Sequence, residues 1–280
     1  MINPNRMGCS PDYLAAAVSQ FWENGYVRLP GLFSHSEVDV LRAAIKNSDR
    51  MNEVFRATQA KYLVGKYPSF ETIFVWNDTS GYDLFSKFTR CMPIMEILDQ
   101  AFKDEAYVYH NKVALKYQNM PGFKHHQDYF YWSTMGCLMP NMATCMIAID
   151  DANDQNGCLR LVRRSHLLGR LEHVLLDGFS DSQVEPERLA AILERFPEDK
   201  IEMNAGDAVL FHCNTIHASA ANNSEKPRLA LLGCYNTKNN TPYHRRCAHP
   251  PFIRQSKIVD EVTPEDLTNF PDFTLSYEER

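Results

Sequence analysis

Two histidines and an aspartate stand close together in the segment KHHQDYFYW, residues 124–132, beside four aromatic residues. His126 and Asp128 are two positions apart, and alternate side chains of a β-strand leave the same face about 7 Å apart, so both can reach one ion. This pair alone is a weak signal, because the spacing often arises on a protein surface by chance. It predicts a metal site only if a third ligand arrives from elsewhere in the chain.

A second segment with reactive side chains is GDAVLFHCNTIHASAANNSEKPRLAL, residues 206–231. It offers His217 after one apolar strand and Arg228 inside another. Two histidines and one carboxylate on one face of a metal leave positions open and suit non-haem Fe(II) that works with oxygen. An arginine in an apolar strand is costly unless it meets an anion, and a carboxylate matches its planar fork. Arg228 therefore predicts an organic acid as its ligand.

Length and charge exclude several classes of protein. The 280 residues suit one large domain or two small ones, and the net charge of −6 argues against binding a nucleic-acid backbone. No apolar run approaches the roughly 18 residues that span a bilayer, and neither end reads as a targeting signal. Eight cysteines without a C-x-x-C pair predict buried free thiols. We therefore expect a cytoplasmic protein.

The first 105 residues have mainly helical patterns. Ser10-Pro11 is typical of a helix start, and Ser34 or Ser36 can cap a second helix. GYVRLPGLF, residues 25–33, predicts a short strand, and residues 92–102 predict a further helix.

Beyond residue 105 the sequence favours β-structure. Short runs of β-branched, aromatic and aliphatic residues alternate with polar turns, and one helix is predicted at 184–196. The runs lie at 107–117, 142–150, 158–162, 207–212 and 228–236. This pattern predicts a mainly β fold with flanking helices, arranged as a sandwich or barrel.

Taken together, these segments resemble the phytanoyl-CoA dioxygenase family of Fe(II)/2-oxoglutarate oxygenases, which includes ectoine hydroxylases. The resemblance runs over nearly the whole chain, from FWENGYVRLPGLFSHSEVDVLRAAI through HQD with its aromatics to IAIDDANDQNGCLRLVRRSH. The distal histidine is followed by serine at +2 and arginine at +11, which is the family's spacing. One departure is Val162-Arg163-Arg164-Ser165-His166, where the family has P-G-S-H.

The resemblance implies a double-stranded β-helix, or jelly roll, as one domain over 1–280. Its parts would be a largely helical region at 1–105, the jelly-roll core at 106–240 and a C-terminal extension at 241–280. Iron would be held by His126, Asp128 and His217, and the distal carboxylate of 2-oxoglutarate by Arg228 and Ser219. O2 is the second cosubstrate, and ascorbate is expected to support turnover.

The implied reaction couples oxidative decarboxylation of 2-oxoglutarate to oxidation of a C–H bond in a small molecule. Because related halogenases lack the carboxylate ligand, Asp128 favours hydroxylation, desaturation or cyclisation. An amino-acid-like or natural-product substrate is favoured over an acyl-CoA, since no strong basic patch is present. A catalytically silent metal-binding protein of this fold and a cupin-like zinc enzyme are the alternatives.

Several side chains are candidates for the substrate pocket. Trp132 and Phe130 share strand parity with His126 and Asp128, so they face the cavity if the strand continues and belong to the core if it bends. Tyr129 and Tyr131 would pack on the other side. Other candidates are Lys112, with Lys116 as a second lysine near the cosubstrate, and Arg246 in the basic segment YHRRCAH. His125, His166 and His212 are expected to be structural.

Overall fold

The computed structural model describes residues 8–63, 73–175, 182–243 and 252–271. Its α-helices are α1 (Pro11–Asn24), α2 (His35–Asn47), α3 (Asp49–Leu63), α4 (Leu84–Thr89), α5 (Met92–Phe102), α6 (Asp128–Thr134) and α7 (Pro186–Leu193). The strands are β1 (Tyr26–Leu29), β2 (Ile73–Trp76), β3 (Ala106–Lys116), β4 (Ala143–Ala148), β5 (Leu159–Val162), β6 (His173–Leu175), β7 (Ser182–Val184), β8 (Glu198–Ile201), β9 (Ala208–His212), β10 (His217–Ser219) and β11 (Arg228–Thr237).

The strands form antiparallel sheets, as the mainly β prediction with flanking helices requires. A six-stranded sheet has the order β1-β9-β4-β11-β3-β2, and a three-stranded sheet has the order β10-β5-β8. Strands β6 and β7 pair separately. Of the strands described, only β2 and β3 are neighbours both in sequence and in the large sheet, and β11 lies at its centre between β3 and β4.

The two faces of the large sheet have different partners. On one face, residues such as Val113, Ile147 and Leu231 pack in the main apolar core with α1, α2, α4 and α5. On the other face, Met146 and Phe211 meet Leu161 of the small sheet in a second apolar cluster. Alternation along the strands thus sends every second side chain into the space between the sheets.

Most local predictions are confirmed. Ser10 caps α1 with Pro11 in the first turn, and Ser34, rather than Ser36, forms the capping box of α2. Helix α5 has the predicted bounds. The five predicted β-segments after residue 105 correspond to β3, β4, β5, β9 and β11. The described cysteines are free thiols, and all except Cys9 are buried; Cys247 lies outside the described residues.

The strand considered for His126 and Asp128 does not continue to residue 132. Only His126 makes a β-bridge, to His217, and the chain then turns into α6 at Asp128. The aromatic residues suggested a strand, but intrinsic β-preference is weak beside packing. In the helix, Tyr129 and Trp132 lie three positions apart on one face and both enter a buried aromatic cluster.

The sequence patterns also missed several short strands, among them β2, β6, β7 and β8. β2 lies in the part expected to be mainly helical, and β8 follows a helix that is shorter than predicted, Pro186–Leu193. β2 is the edge strand beside β3, and β8 is the edge strand beside β5. Four residues at a sheet edge carry too short a pattern to be recognised without their partner.

Candidate active site

His126, Asp128 and His217 are brought together by two distant segments. The backbones of His126 and His217 exchange hydrogen bonds, with N···O distances of 3.0 and 2.9 Å. This antiparallel bridge fixes the start of β10 beside His126, just ahead of α6. Asp128 is the first residue of α6 and points into the same place, with Oδ1 3.9 Å from Nε2 of His217.

Backbone carbonyls set the orientation of both imidazoles. Nδ1 of His126 lies 2.7 Å from the carbonyl oxygen of Lys124, and Nδ1 of His217 lies 3.0 Å from that of Thr215. A carbonyl only accepts, so each Nδ1 donates and each Nε2 is left with its lone pair. One donor atom from each of the three side chains lies within 4.8 Å of the others. This arrangement is suited to holding one metal ion.

Electrostatics keep the three groups in the protonation states that bind metals. Burial, followed by the proximity of His217, lowers the pKa of His126 to about 3. Burial also lowers the pKa of His217. Burial acts to raise the pKa of Asp128, but His217, Lys112 and His126 outweigh it, and the pKa falls below its ordinary value. Two neutral imidazoles and one carboxylate result.

Thr144 on β4 fixes the orientation of the Asp128 carboxylate. Its hydroxyl donates a 2.6 Å hydrogen bond to Oδ2 of Asp128, and both residues are buried. Oδ1 is thereby the oxygen that faces His217. Thr144 was not predicted as a site residue, although a polar residue within the apolar run ATCMIAI was a signal for it.

Arg228 and Lys116 form a cationic pocket on the inner face of the large sheet. They are directly paired across β11 and β3, and both are buried. Nζ of Lys116 donates to Oγ of Ser219 at 2.7 Å and to the carbonyl of Ala220 at 2.6 Å. Nε and Nη1 of Arg228 have no hydrogen-bond partner among the described residues. A buried guanidinium with two unused donors requires an anion.

The charge of Arg228 affects Lys116. Burial lowers the pKa of Arg228 to about 10. Burial, together with the charge of Arg228, lowers the pKa of Lys116 to about 7. The pocket therefore carries positive charge that a carboxylate would neutralise.

Lys112 is a further lysine of β3, and its charge acts on the candidate metal ligands. It shares a face of β3 with Lys116, four residues away, and is half-buried. Its charge contributes to lowering the pKa of Asp128 and of His217, and it hydrogen-bonds the thiol of Cys234. Arg246, the fourth substrate candidate of the sequence, lies outside the described residues.

Helix α6 changes which aromatic residue faces the ligands. The ring of Tyr131, expected on the far side, lies 6.1 Å from that of His126, and its hydroxyl hydrogen-bonds Ser182. Phe130 instead stacks on His173 with the ring centroids 4.2 Å apart. Trp132 is buried and meets His110 edge-on at 5.9 Å. The condition for placing Phe130 and Trp132 in the cavity, a strand that continues past Asp128, is not met, because a helix does not alternate its side chains.

The three histidines expected to be structural, His125, His166 and His212, have partners outside the ligand set. His125 pairs with Glu198, and His166 bonds the carbonyl of Trp22. His212 is buried among Phe21, Trp22 and Phe102 and accepts a hydrogen bond from the backbone of Asn214.

The fold and this group of side chains define an enzyme class. Antiparallel sheets that enclose two histidines and one carboxylate beside a cationic pocket are the arrangement of Fe(II)/2-oxoglutarate-dependent dioxygenases, and the protein is such an enzyme. Residues 21–230 match the phytanoyl-CoA dioxygenase (PhyH) family, and the chain belongs to that family.

Individual relatives cover most of the chain. L-proline trans-4-hydroxylase of Streptomyces griseoviridis is 27% identical over 275 residues, which span 93% of this chain and 98% of the relative. Methylphosphonate hydroxylase of Gimesia maris is 32% identical over 228 residues, which span 76% and 77%. EctD from S. alaskensis, solved with 2-oxoglutarate and 5-hydroxyectoine, superposes with a TM-score of 0.64 at 19% identity, covering 86% and 83%. The last likeness concerns the fold.

Proposed function

We propose that the protein hydroxylates a C–H bond of a small organic acid, with Fe(II) held by His126, Asp128 and His217 and with 2-oxoglutarate and O2 as cosubstrates. The observation that carries the proposal is the convergence of three metal-binding side chains beside a buried guanidinium with unused donors. Iron and 2-oxoglutarate together supply the oxidising chemistry. Ascorbate would keep the metal reduced.

The chain's own residues position the cosubstrate. The guanidinium of Arg228, whose Nε and Nη1 have no partner among the described residues, binds the distal carboxylate of 2-oxoglutarate. Lys116 and Ser219, already hydrogen-bonded to each other, close the same end of the pocket. The buried surroundings exclude water from these charged contacts and strengthen them.

Two observations support an acidic, amino-acid-like substrate. Lys112 stands on the inner face of β3 beside the metal ligands, where an ammonium attracts an anionic group. The named relatives act on proline, which carries a carboxylate, and on methylphosphonate, which carries a phosphonate. The ring of Tyr131 provides an apolar wall on the side of His126. Phe130, Trp132 and Arg246 remain candidates for more distant contacts.

The wider architecture also belongs to this proposal. The two sheets pack face to face through one apolar cluster, which supports a double-stranded β-helix as the core. The main core runs from Ala17 in α1 to Val262 near the C-terminus, which supports a single domain over 1–280. None of the helices in the described ranges combines the length and hydropathy that a membrane crossing requires. The free thiols support a cytoplasmic location.

The proposal is tested by incubating the protein with Fe(II), ascorbate, 2-oxoglutarate and a panel of small carboxylic and phosphonic acids. We expect succinate formation to rise severalfold with one acid, and mass spectrometry to show that this acid has gained one oxygen. His126→Ala should lose both signals.

Lys112→Met should raise KM for the acid at least about tenfold, because one charge-assisted contact is lost. Lys112→Arg should keep KM close to that of the wild type.

Two results would contradict the proposal. Wild-type protein that binds Fe(II) but forms no succinate with any panel member would favour a catalytically silent metal-binding protein. A product that has lost two hydrogens, without added oxygen, would replace hydroxylation by desaturation or cyclisation.

A separate prediction concerns pH and Lys116. Its pKa of about 7 means that the ammonium is present below pH 7 and is lost above it in the free protein. Because the bound carboxylate favours the ammonium, we expect 2-oxoglutarate affinity to be steady below pH 7 and to fall up to about tenfold per pH unit above it. Calorimetry from pH 6.5 to 9, with Mn(II) in place of iron, measures this dependence.

The matched variant for this prediction is Lys116→Arg, which keeps a positive charge throughout this pH range. It should bind 2-oxoglutarate with little change between pH 7 and 9. An equally steep loss of affinity in Lys116→Arg would assign the titration to another group.

A further inference from the structure

Gln127, the residue between the two ligands of the H-Q-D segment, is fully buried with 0% of its surface exposed. Its carboxamide is completely engaged. Nε2 donates to the carbonyls of Asn214 at 2.7 Å and Gly169 at 2.8 Å, and Oε1 accepts from the backbone N–H of Leu171 at 2.7 Å. Both polar atoms of the side chain therefore bond to protein groups, although Gln127 lies next to both ligands in sequence.

The contact with Asn214 connects Gln127 to the segment that carries His217, the third candidate ligand. Asn214 lies in the turn between β9 and β10, and the next residue, Thr215, supplies the carbonyl that orients the imidazole of His217. The N–H of Tyr129, on the other side of Asp128, bonds to Cys213 in the same turn at 3.1 Å. The turn that orients His217 is therefore tied to the peptide on both sides of Asp128.

The segment 169–173 contacts Gln127 three times. Besides Gly169 and Leu171, Nε2 of His173 accepts a 3.0 Å hydrogen bond from the backbone N–H of Gln127. Nδ1 of His173 is used on the carbonyl of Leu171, so this ring has the tautomer that can accept at Nε2. Gln127 thus links three chain segments that are remote in sequence.

We propose that Gln127 is a positioning residue that holds the two halves of the metal centre, His126 with Asp128 and His217, at their binding distance. This role rests on the proposed metal site and extends it to a residue that donates no ligand atom. The physical basis is geometric: a metal site needs its ligands fixed by outer contacts, and loss of such contacts typically weakens metal binding about 10- to 100-fold.

The test replaces the amide by an apolar side chain of similar length, Gln127→Met, and measures Co(II) binding by titration of the visible absorption bands. We expect the Kd for Co(II) to rise about 10- to 100-fold, with altered bands because the ligand geometry loosens. Gln127→Glu keeps the acceptor for Leu171 and loses donors to Asn214 and Gly169, so it should also bind more weakly than wild type.

Asn236→Leu is the matched control. Asn236 is another fully buried amide, bonded to Tyr107 and Asn240 outside the metal centre. It should lower Tm but leave the Co(II) Kd within about twofold and the bands unchanged, since a loss of stability alone does not alter ligand geometry. The positioning role would be overturned if Gln127→Met bound Co(II) with the same Kd as Asn236→Leu at a comparable Tm.

A measurement on the wild-type protein keeps the inference testable if the variants do not fold. Hydrogen exchange at the N–H of Leu171, which reports on the Gln127 contact, should slow at least about tenfold when Co(II) binds. Unchanged exchange would overturn the role of Gln127 while leaving the metal site intact. Failure of the wild-type protein to bind Co(II) would instead overturn the metal centre and this role together.

Discussion

Asp128→Asn should abolish turnover and weaken Fe(II) binding by more than about 100-fold, because loss of a direct ligand exceeds the cost of losing an outer contact. The amide keeps the size of the carboxylate but removes its charge, leaving two neutral imidazoles for the metal. The hydrogen bond from Thr144 can still be accepted, so the variant changes the charge more than the packing. Calorimetric titration with Fe(II) under anaerobic conditions, combined with succinate formation, measures the effect.

The control for this variant is Asp266→Asn. Asp266 is as buried as Asp128, but it pairs with Lys87 at 2.9 Å, away from the metal ligands. Its replacement should lower Tm and leave the Fe(II) Kd unchanged. Retention of wild-type Fe(II) affinity by Asp128→Asn would remove Asp128 from the ligand set.

Arg228→Met should raise the Kd for 2-oxoglutarate by about 30-fold to several thousandfold. This range corresponds to the about 2–5 kcal/mol that removal of one partner from a buried charge pair costs, at about 1.4 kcal/mol per tenfold change. The lost contacts are those of the guanidinium, whose Nε and Nη1 have no partner among the described residues. Arg228→Lys should recover part of the affinity, because it restores a charge but not the planar fork.

The same variant has a second, opposite effect on the protein without cosubstrate. A buried guanidinium that lacks an anionic partner is costly, and replacing it by an apolar side chain relieves that cost. We therefore expect Arg228→Met to raise the Tm of the cosubstrate-free protein and to lose the further rise that 2-oxoglutarate gives the wild type. Thermal unfolding with and without 2-oxoglutarate measures both changes.

Arg90→Met tests whether these effects belong to the pocket. Arg90 is also buried, but it contacts the carbonyl of Gly81 on the other side of the main core. Its replacement should leave the Kd for 2-oxoglutarate unchanged. A Kd for Arg228→Met within about threefold of wild type would show that this arginine does not bind the cosubstrate.

The fold could be predicted where its signals are local. Ser10 and Ser34 cap helices through side chains that reach three residues ahead, so sequence alone contains both partners. Five of the strands were recognisable as short apolar runs between turns. The segment 124–132 was not, because its choice between strand and helix depends on an aromatic cluster to which Tyr107 and Tyr109 of β3 contribute.

The same distinction applies to the candidate site. The spacing of His217, Ser219 and Arg228, combined with H-x-D, was legible as a family pattern and predicted a centre for iron and 2-oxoglutarate. The roles of Tyr131 and Gln127 could not be predicted from the sequence. Tyr131 reaches the ligands because α6 replaces the expected strand, and Gln127 acts through carbonyls at 169 and 214.

By itself, the sequence determined the reaction class, the candidate ligands and most of the strands, since residue type and short spacing carry that information. Only the tertiary structure decided which donors of Arg228 have no partner among the described residues and which aromatic ring lies beside the candidate ligands. It also decided which residue links the segment of His126 and Asp128 to that of His217. The physical reason is that these properties depend on contacts between remote segments, such as Lys116 and Ser219, which are 103 residues apart. Sequence spacing does not encode such distances.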